Sequence, residues 1–305
     1  MEVSARLRGF ASRRSFIPGA LAAACFVLAI VQLPGRIFAD SRVELSLDPS
    51  LFLSRVGSVW NATGDLGNVS SAQFIGYLFP MGPWYAGARA LGVPMWLVER
   101  LWLGALMAAA AIGMVKLLDA LYDERRGIAH AVAGALFAFN PFVAVFIGRS
   151  SVALLAYVTL PWLLFCVARG ATDDARWRWP AVFALVLAAA GGGVNVAYLP
   201  WTMLAAVALS AYQLLIRHTD WRRAWAFWWR AGLCSLATNL WWLVPVALQS
   251  RYGADFLAFL EQPLAIWATN SMSESLRLLG YWIVYAGTGF TGTAEPPVSV
   301  APTFL

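Results

Sequence analysis

Charge is scarce in this chain. Of its 305 residues only 12% are Asp, Glu, Lys or Arg, against 60% hydrophobic residues and a mean hydropathy of +0.66. That balance excludes an ordinary soluble domain, in which about a quarter of residues are charged. Long apolar stretches recur from Phe16 to Gln249 with the charges gathered between them, the pattern of a polytopic helix bundle that has the bilayer as its solvent. Cysteine is as sparse: Cys25, Cys166 and Cys234 all fall inside apolar runs, odd in number and without metal-ligand spacing. They read as small buried hydrophobes, and no disulfide framework is implied. The two histidines, His130 and His218, both fall at the inner side in the topology below. Any proton acceptor on the outer side is therefore a carboxylate.

What charge there is leans positive, +6 overall, and the basic residues are nearly all arginine. They sit in short clusters at the ends of apolar runs rather than along one amphipathic face, which makes them topology signals and argues against nucleic acid as a partner. Basic residues followed by an apolar run at the amino terminus resemble a signal peptide. The run Ile17 to Ala39, however, would reach about 35 Å as helix, long enough to span and stay.

Hydropathy places spans near 17–39, 94–118, 127–147, 151–168, 179–196, 197–216 and 231–249. A further span begins near Leu278 and dissolves into Gly, Thr and Pro, so the chain reads as the first part of a larger architecture. With the amino terminus in the cytoplasm, most of the arginines fall inside, among them Arg13, Arg14, Arg125, Arg126, Arg222 and Arg223. That satisfies the positive-inside rule for a plasma-membrane protein. The run Gly191-Gly-Gly-Val-Asn195 makes a poor helix interior and divides two minimal spans, a single broken helix being the alternative. Arg217 to Arg230, with Trp221, Trp225, Trp228 and Trp229 interleaved, reads as an interfacial helix on the inner side.

Two outer loops, 40–93 and 251–277, carry most of the remaining sequence. In the first, Asp48-Pro49 is a helix start, and Phe52, Val56, Val59 and Trp60 recur at helical spacing, predicting a helix flat on the membrane. The aromatic, Pro-rich stretch Phe74 to Tyr85 is expected to dip into the interface. Asn61-Ala-Thr63 and Asn68-Val-Ser70 fit the glycosylation pattern, which is short enough to recur by chance.

The outer carboxylates are Asp40, Glu44, Asp48 and Asp65, then Asp255, Glu261 and Glu274. Asp40 directly follows the first span, where a rigid helix can hold it, and Glu44 lies four residues on. If the helix continued they would share a face, although Arg42 to Leu47 alternates and is equally compatible with an extended strand. Two carboxylates converging here could share a divalent cation (Mg, Mn or Ca) or lift one acid into the range of a general base. Each acid taken alone is more simply a solvated loop residue, and Asp48 is accounted for as an N-cap. Glu99, Arg100, Arg149 and Arg251 flank the membrane, where a guanidinium either pairs with an anionic lipid phosphate or merely snorkels. The outer tryptophans, such as Trp60, Trp84 and Trp242, suit sugar stacking but serve at least as well as anchors.

The series Ala39-Asp40-Ser-Arg-Val-Glu44-Leu-Ser-Leu-Asp48-Pro49, with Phe52-Leu53, Arg55, Trp60 and then Gly76-Tyr77-Leu78-Phe79-Pro80-Met81-Gly82-Pro83, resembles the amino-terminal part of the actinobacterial alpha-(1→3)-arabinofuranosyltransferases. Gly191 to Asn195 and the stretch from Phe256 to Arg277 agree with that family's pattern. One departure is Ser71-Ala-Gln73-Phe-Ile-Gly76, where the family tends to have an amide-rich Gln-Asn-Gln-Ala-Tyr-Gly, weakening the case for polar sugar contacts there.

The resemblance implies an all-α, polytopic transmembrane helix bundle of GT-C type with interfacial helices in the first outer loop. It implies a membrane glycosyltransferase moving arabinofuranose from a decaprenyl-phosphate donor to cell-envelope arabinan on the outer face. In that reading Asp40 is the base, Glu44 its partner orienting a cation or the acceptor, and Glu261 closes the site. Arg251 or Arg277 serves the donor phosphate, and Gln73, Tyr77 and Asn195 contact acceptor or sugar. Such a base suits a one-step displacement. Family members are far longer, so the activity of this stretch by itself stays open. A flippase of lipid-linked sugars or a non-catalytic envelope scaffold would share the same spans without needing a base.

Overall fold

The computed structural model describes residues 2–253 and 272–278 apart from 39, 41, 59, 62–66, 70–74, 123–126, 148 and 174–175, and only the backbone of 2–15, 61, 68, 274 and 275. The fold is all-α, and among the described residues it has one small two-stranded exception. Among the described residues, five helical segments are long and apolar enough to cross a membrane: Met95–Leu121, Ile128–Phe146, Ser151–Thr172, Tyr198–Leu215 and Trp221–Tyr252. Phe16–Val31 and Arg178–Ala188 are shorter apolar helices. Together they make a multi-span membrane bundle of the expected class.

The first helix, α1 (Glu2–Val31), packs on α5 (Met95–Leu121) and ends well before Ala39. Gln32-Leu33-Pro34-Gly35 stops it: Leu33 and Gly35 take positive φ, 37° and 79°, and a proline there cannot continue the helix. Asp40 is thus not carried by the end of a helical rod. It lies in an irregular stretch that leads into α2 (Val43–Leu47).

The first loop folds down onto the end of α5. Helix α3 (Pro49–Val56) begins where Asp48 Oδ1 accepts the Leu51 amide at 3.1 Å, the cap expected of Asp-Pro. Its apolar side faces protein, not lipid: Phe52 and Val56 are 7% and 5% exposed, and the Phe52 ring meets Tyr77 edge-on at 6.2 Å. After a short pairing of β1 (Trp60–Asn61) with β2 (Asn68–Val69), α4 (Met81–Ala90) completes the layer. It is tied down by Trp84 Nε1 donating to Val98 O and by Arg89 Nη1 donating to Leu47 O. The predicted dip of 74–85 into the interface is, for the described part, a segment buried against the bundle: Tyr77, Met81 and Tyr85 are 3%, 3% and 1% exposed.

The Leu51 amide bond, ahead of an opposing burial effect, holds the Asp48 carboxyl below its usual range. A carboxyl depressed by folding contributes stability that is present above the ordinary carboxylate range and is lost as pH falls through its folded value. Protection of the Leu51 amide in hydrogen exchange, relative to its intrinsic rate, should therefore persist through the ordinary Asp range and vanish below it. Asp48→Asn should leave an N-cap whose protection no longer depends on acid.

The span read as 127–147 is two helices, α6 (Ile128–Ala138) and α7 (Pro141–Phe146). At the break, Asn140 Oδ1 caps the Val143 amide while its Nδ2 donates to Leu136 O, Phe137 O and Tyr157 Oη. A turn of 3-10 helix, Ser151–Ala153, opens α8 (Leu154–Thr172). Helix α9 (Arg178–Ala188) is followed by a turn with Gly191 at φ 77°, then α10 (Tyr198–Leu215) and α11 (Trp221–Tyr252).

Side-chain contacts fix the directions. Arg230 reaches Arg176 O and Thr238 reaches Ala184 O, so α9 and α11 run parallel, whereas Trp228 bonds Ser210 on the antiparallel α10. The chain therefore reverses at Gly191–Asn195. The basic, Trp-rich stretch before 231 is not a separate interfacial helix: it is the first part of the 32-residue α11. The Arg230 guanidinium lies 5.4 Å from the Trp177 ring and 5.2 Å from the Trp229 ring there.

Candidate active site

Asp40, half-buried, turns its carboxylate into the bundle. Oδ1 accepts the Ser151 backbone N–H at 2.8 Å and Oδ2 accepts the Ser151 hydroxyl. The Ser151 oxygen in turn accepts the indole N–H of Trp102 at 3.0 Å. Both partners are interior: Ser151 is 0% exposed and Trp102 5%, the latter packed by Trp84 and Tyr85 with ring centroids 5.7 and 6.4 Å away.

Beside this lies a second acid. Glu99 is 2% exposed, and its Oε2 accepts the Phe38 amide at 2.8 Å. Ser46, 2% exposed, reaches both Glu99 and Tyr85. Burial first, then the nearby Asp40 and Glu99 carboxylates, push the Tyr85 phenol well above its usual range, so it stays a neutral donor.

Arg100, 0% exposed, is no lipid-phosphate ligand. Nε donates to Gln32 O at 2.9 Å, and Nη2 donates to Leu33 O and Arg36 O at 3.2 and 2.9 Å. The guanidinium satisfies the carbonyls where α1 ends, lies 3.7 Å from the Phe38 ring, and has Nη1 3.8 Å from Glu99 Oε2. The stretch holding Asp40 is thus latched from beneath by Arg100 and from the side by Ser151.

The remaining predicted residues are distributed unevenly. Glu44 is exposed on α2 and does not share a helix with Asp40, whose own oxygens turn inward to Ser151. Among the described residues no three His, Cys, Asp or Glu side chains gather closely enough to hold a metal. Tyr77 is packed between Phe52 and the Arg42 guanidinium, 5.8 Å from its ring, so its ring is not open for sugar stacking. Asn195 is exposed, its Oδ1 accepting the Ala197 amide at the turn before α10. Arg251 and Arg277 are both exposed. Gln73 and Glu261 lie outside the described residues.

The two glycine motifs meet here. A Cβ on Gly76 would overlap the carbonyl carbon of Gly193 and the amide nitrogen of Val194, and one on Gly193 would come within 3.0 Å of Gly76 Cα and Trp242 Cβ. The first loop and the α9–α10 turn touch backbone to backbone, with Trp242, 2% exposed, behind them. Arg217 lies at the opposite end of the bundle, where it donates to Leu121 O at the close of α5.

Residues 24–303 match the family model described as alpha-(1→3)-arabinofuranosyltransferase, N-terminal GT-C domain. The chain belongs to this arabinofuranosyltransferase family. It is similar to the alpha-(1→3)-arabinofuranosyltransferase of Mycolicibacterium smegmatis, 30% identical over 281 residues, and to that of Mycobacterium tuberculosis, 29% identical over 286 residues. It covers 90% and 92% of itself in these matches but only 19% and 20% of those proteins. The cryo-EM structure of arabinofuranosyltransferase AftD from Mycobacteria superposes with a TM-score of 0.74 at 27% identity, over 95% of this chain and 20% of that one. A structure of a variant of that protein gives 0.71 at 28% identity over 83% and 20%. The chain thus spans about a fifth of the relatives it matches, and this fifth of the arabinofuranosyltransferase fold holds Asp40, Ser151 and the joined glycine motifs.

Proposed function

We propose that this arabinofuranosyltransferase-family protein is a membrane glycosyltransferase that moves arabinofuranose from a decaprenyl-phosphate donor to arabinan at the outer face of the plasma membrane. Asp40 is its proton acceptor. The acceptor hydroxyl oxygen bonds to the anomeric carbon as its proton passes to the Asp40 carboxylate. The bond to the donor oxygen breaks, and the lipid phosphate leaves with the electron pair, its charge met by Arg251 or Arg277. Exposed Glu44 and Asn195 orient the acceptor or the sugar, and Glu261 closes the site.

The observation that carries this reading is the placement of Asp40. It is a half-buried carboxylate in a built socket, at the end of the bundle opposite Arg217, in a chain of this family. The test is transfer in sealed right-side-out vesicles carrying the protein expressed from its own gene, with donor and acceptor supplied outside. Asp40→Asn keeps an oxygen for the Ser151 amide but cannot take up a proton. Transfer should fall by at least about 100-fold with the amount of folded protein unchanged. A wild-type rate in Asp40→Asn would remove Asp40 from the mechanism, and donor translocation without transfer by the wild type would replace the reading with a flippase.

A further inference from the structure

We propose that Ser151, oriented by Trp102, is the positioning residue that fixes the Asp40 carboxylate for proton transfer, an inference that rests on Asp40 being the base. The irregular stretch between α1 and α2 has no regular backbone to hold a side chain within the few tenths of an ångström that proton transfer demands. The socket supplies that rigidity from two helical elements distant in sequence. Ser151 opens the 3-10 turn that leads into α8, so its N–H is one of the donors a helix start leaves unpaired, and it points at Oδ1 from 2.8 Å.

The hydroxyl has no freedom to do otherwise than serve Oδ2. An indole N–H is only a donor, so at the Trp102 contact of 3.0 Å the Ser151 oxygen must accept, and the single hydroxyl proton is left for Asp40. A chain of donation thus runs from Trp102 on α5 through Ser151 to the carboxylate. The carboxylate is held at both oxygens. A purely structural account, in which Asp40 merely caps the start of α8 from a distance, explains the amide bond. It assigns no purpose to the oriented hydroxyl.

The two accounts separate in the same vesicle assay with Ser151→Ala, Ser151→Thr and Trp102→Phe, and with Ser151→Ala in the Asp40→Asn background. Positioning predicts that Ser151→Ala lowers kcat about 10-fold with KM nearly unchanged, since one hydrogen bond to a charged group is lost. Ser151→Thr, which retains the hydroxyl, should restore most of the rate. In the Asp40→Asn background Ser151→Ala should cost nothing further, because it acts only through that carboxylate. Trp102→Phe, which removes the N–H and keeps an aromatic ring in place, should give a kcat between wild type and Ser151→Ala. It also answers the question if Ser151→Ala fails to accumulate. An unchanged kcat in Ser151→Ala, an equal loss in both backgrounds, no recovery with Thr, or a wild-type kcat in Trp102→Phe would overturn the positioning role while Asp40→Asn stayed strongly impaired. Full transfer by Asp40→Asn would overturn the base and the positioning role together.

Discussion

Arg100→Ala should leave little folded protein, and what survives should unfold at a midpoint well below that of the wild type when followed by tryptophan fluorescence in detergent. The guanidinium is fully enclosed and serves three carbonyl oxygens at the end of α1 while standing beside buried Glu99. Truncation removes every one of those bonds and leaves a carboxylate without its counter-charge. Breaking a buried pair in this way costs about 3–5 kcal/mol, and each stranded carbonyl adds about 1–3 kcal/mol. Set against a typical total stability of about 5–15 kcal/mol, that loss is most of the margin. Arg100→Lys keeps the charge but not the planar fork that reaches carbonyls of residues 32, 33 and 36 at once, so it should fall between. Removing both charges, as Arg100→Met with Glu99→Gln, should be milder than Arg100→Ala alone, because no unpaired ion is left behind. A wild-type midpoint in Arg100→Ala would mean that the end of α1 is held by something other than this latch.

The same arginine shows what could be read from the sequence and what could not. Span existence is legible because long apolar runs have no other stable home, and a break at Gly191–Asn195 is legible because three glycines and an asparagine make a poor helix interior, with the reversal over a single broken helix decided by the structure. Span ends were less so. Leu33-Pro34-Gly35 carries the stop signal for α1, yet hydropathy alone runs through it to Ala39, and Asn140-Pro141 likewise marks the start of α7 inside a continuous apolar run. In α11, tryptophan and arginine density suggested an interface, but nothing between Arg230 and Ala231 breaks the helix, so it continues as one rod.

At the site, Asp40 stood out by its place in the chain. Its holder did not, since Ser151 lies 111 residues away and a serine before an apolar run ordinarily signals only a helix start. Arg100 looked like a membrane-edge charge because sequence position cannot distinguish a snorkelling arginine from one turned inward to bare carbonyls.

Gly76→Ala should cripple the site from the contact between the two glycine motifs. The added methyl would occupy the space of the Gly193–Val194 peptide, and a backbone cannot rotate aside as a side chain can. The turn cannot retreat either, since Gly193 already rests on Trp242, which is 2% exposed. The first loop must therefore give way, drawing with it Tyr77 and Met81, then α4 with Tyr85, whose partner Ser46 belongs to the helix that follows Asp40. Overpacking of this kind costs about 1–3 kcal/mol in stability. A displacement of roughly 1 Å at reacting groups costs about 100-fold in rate. Transfer should thus fall far more than the amount of folded protein does. Gly87→Ala is the matched control: it lies on α4, a Cβ there meets nothing within 4 Å, and replacing a helical glycine should raise stability by roughly 0.5–1 kcal/mol without affecting transfer. If Gly76→Ala transfers as well as Gly87→Ala, the contact between the two glycine motifs is packing that the active site does not feel, and the geometry of Asp40 is set by Ser151 and Arg100 alone.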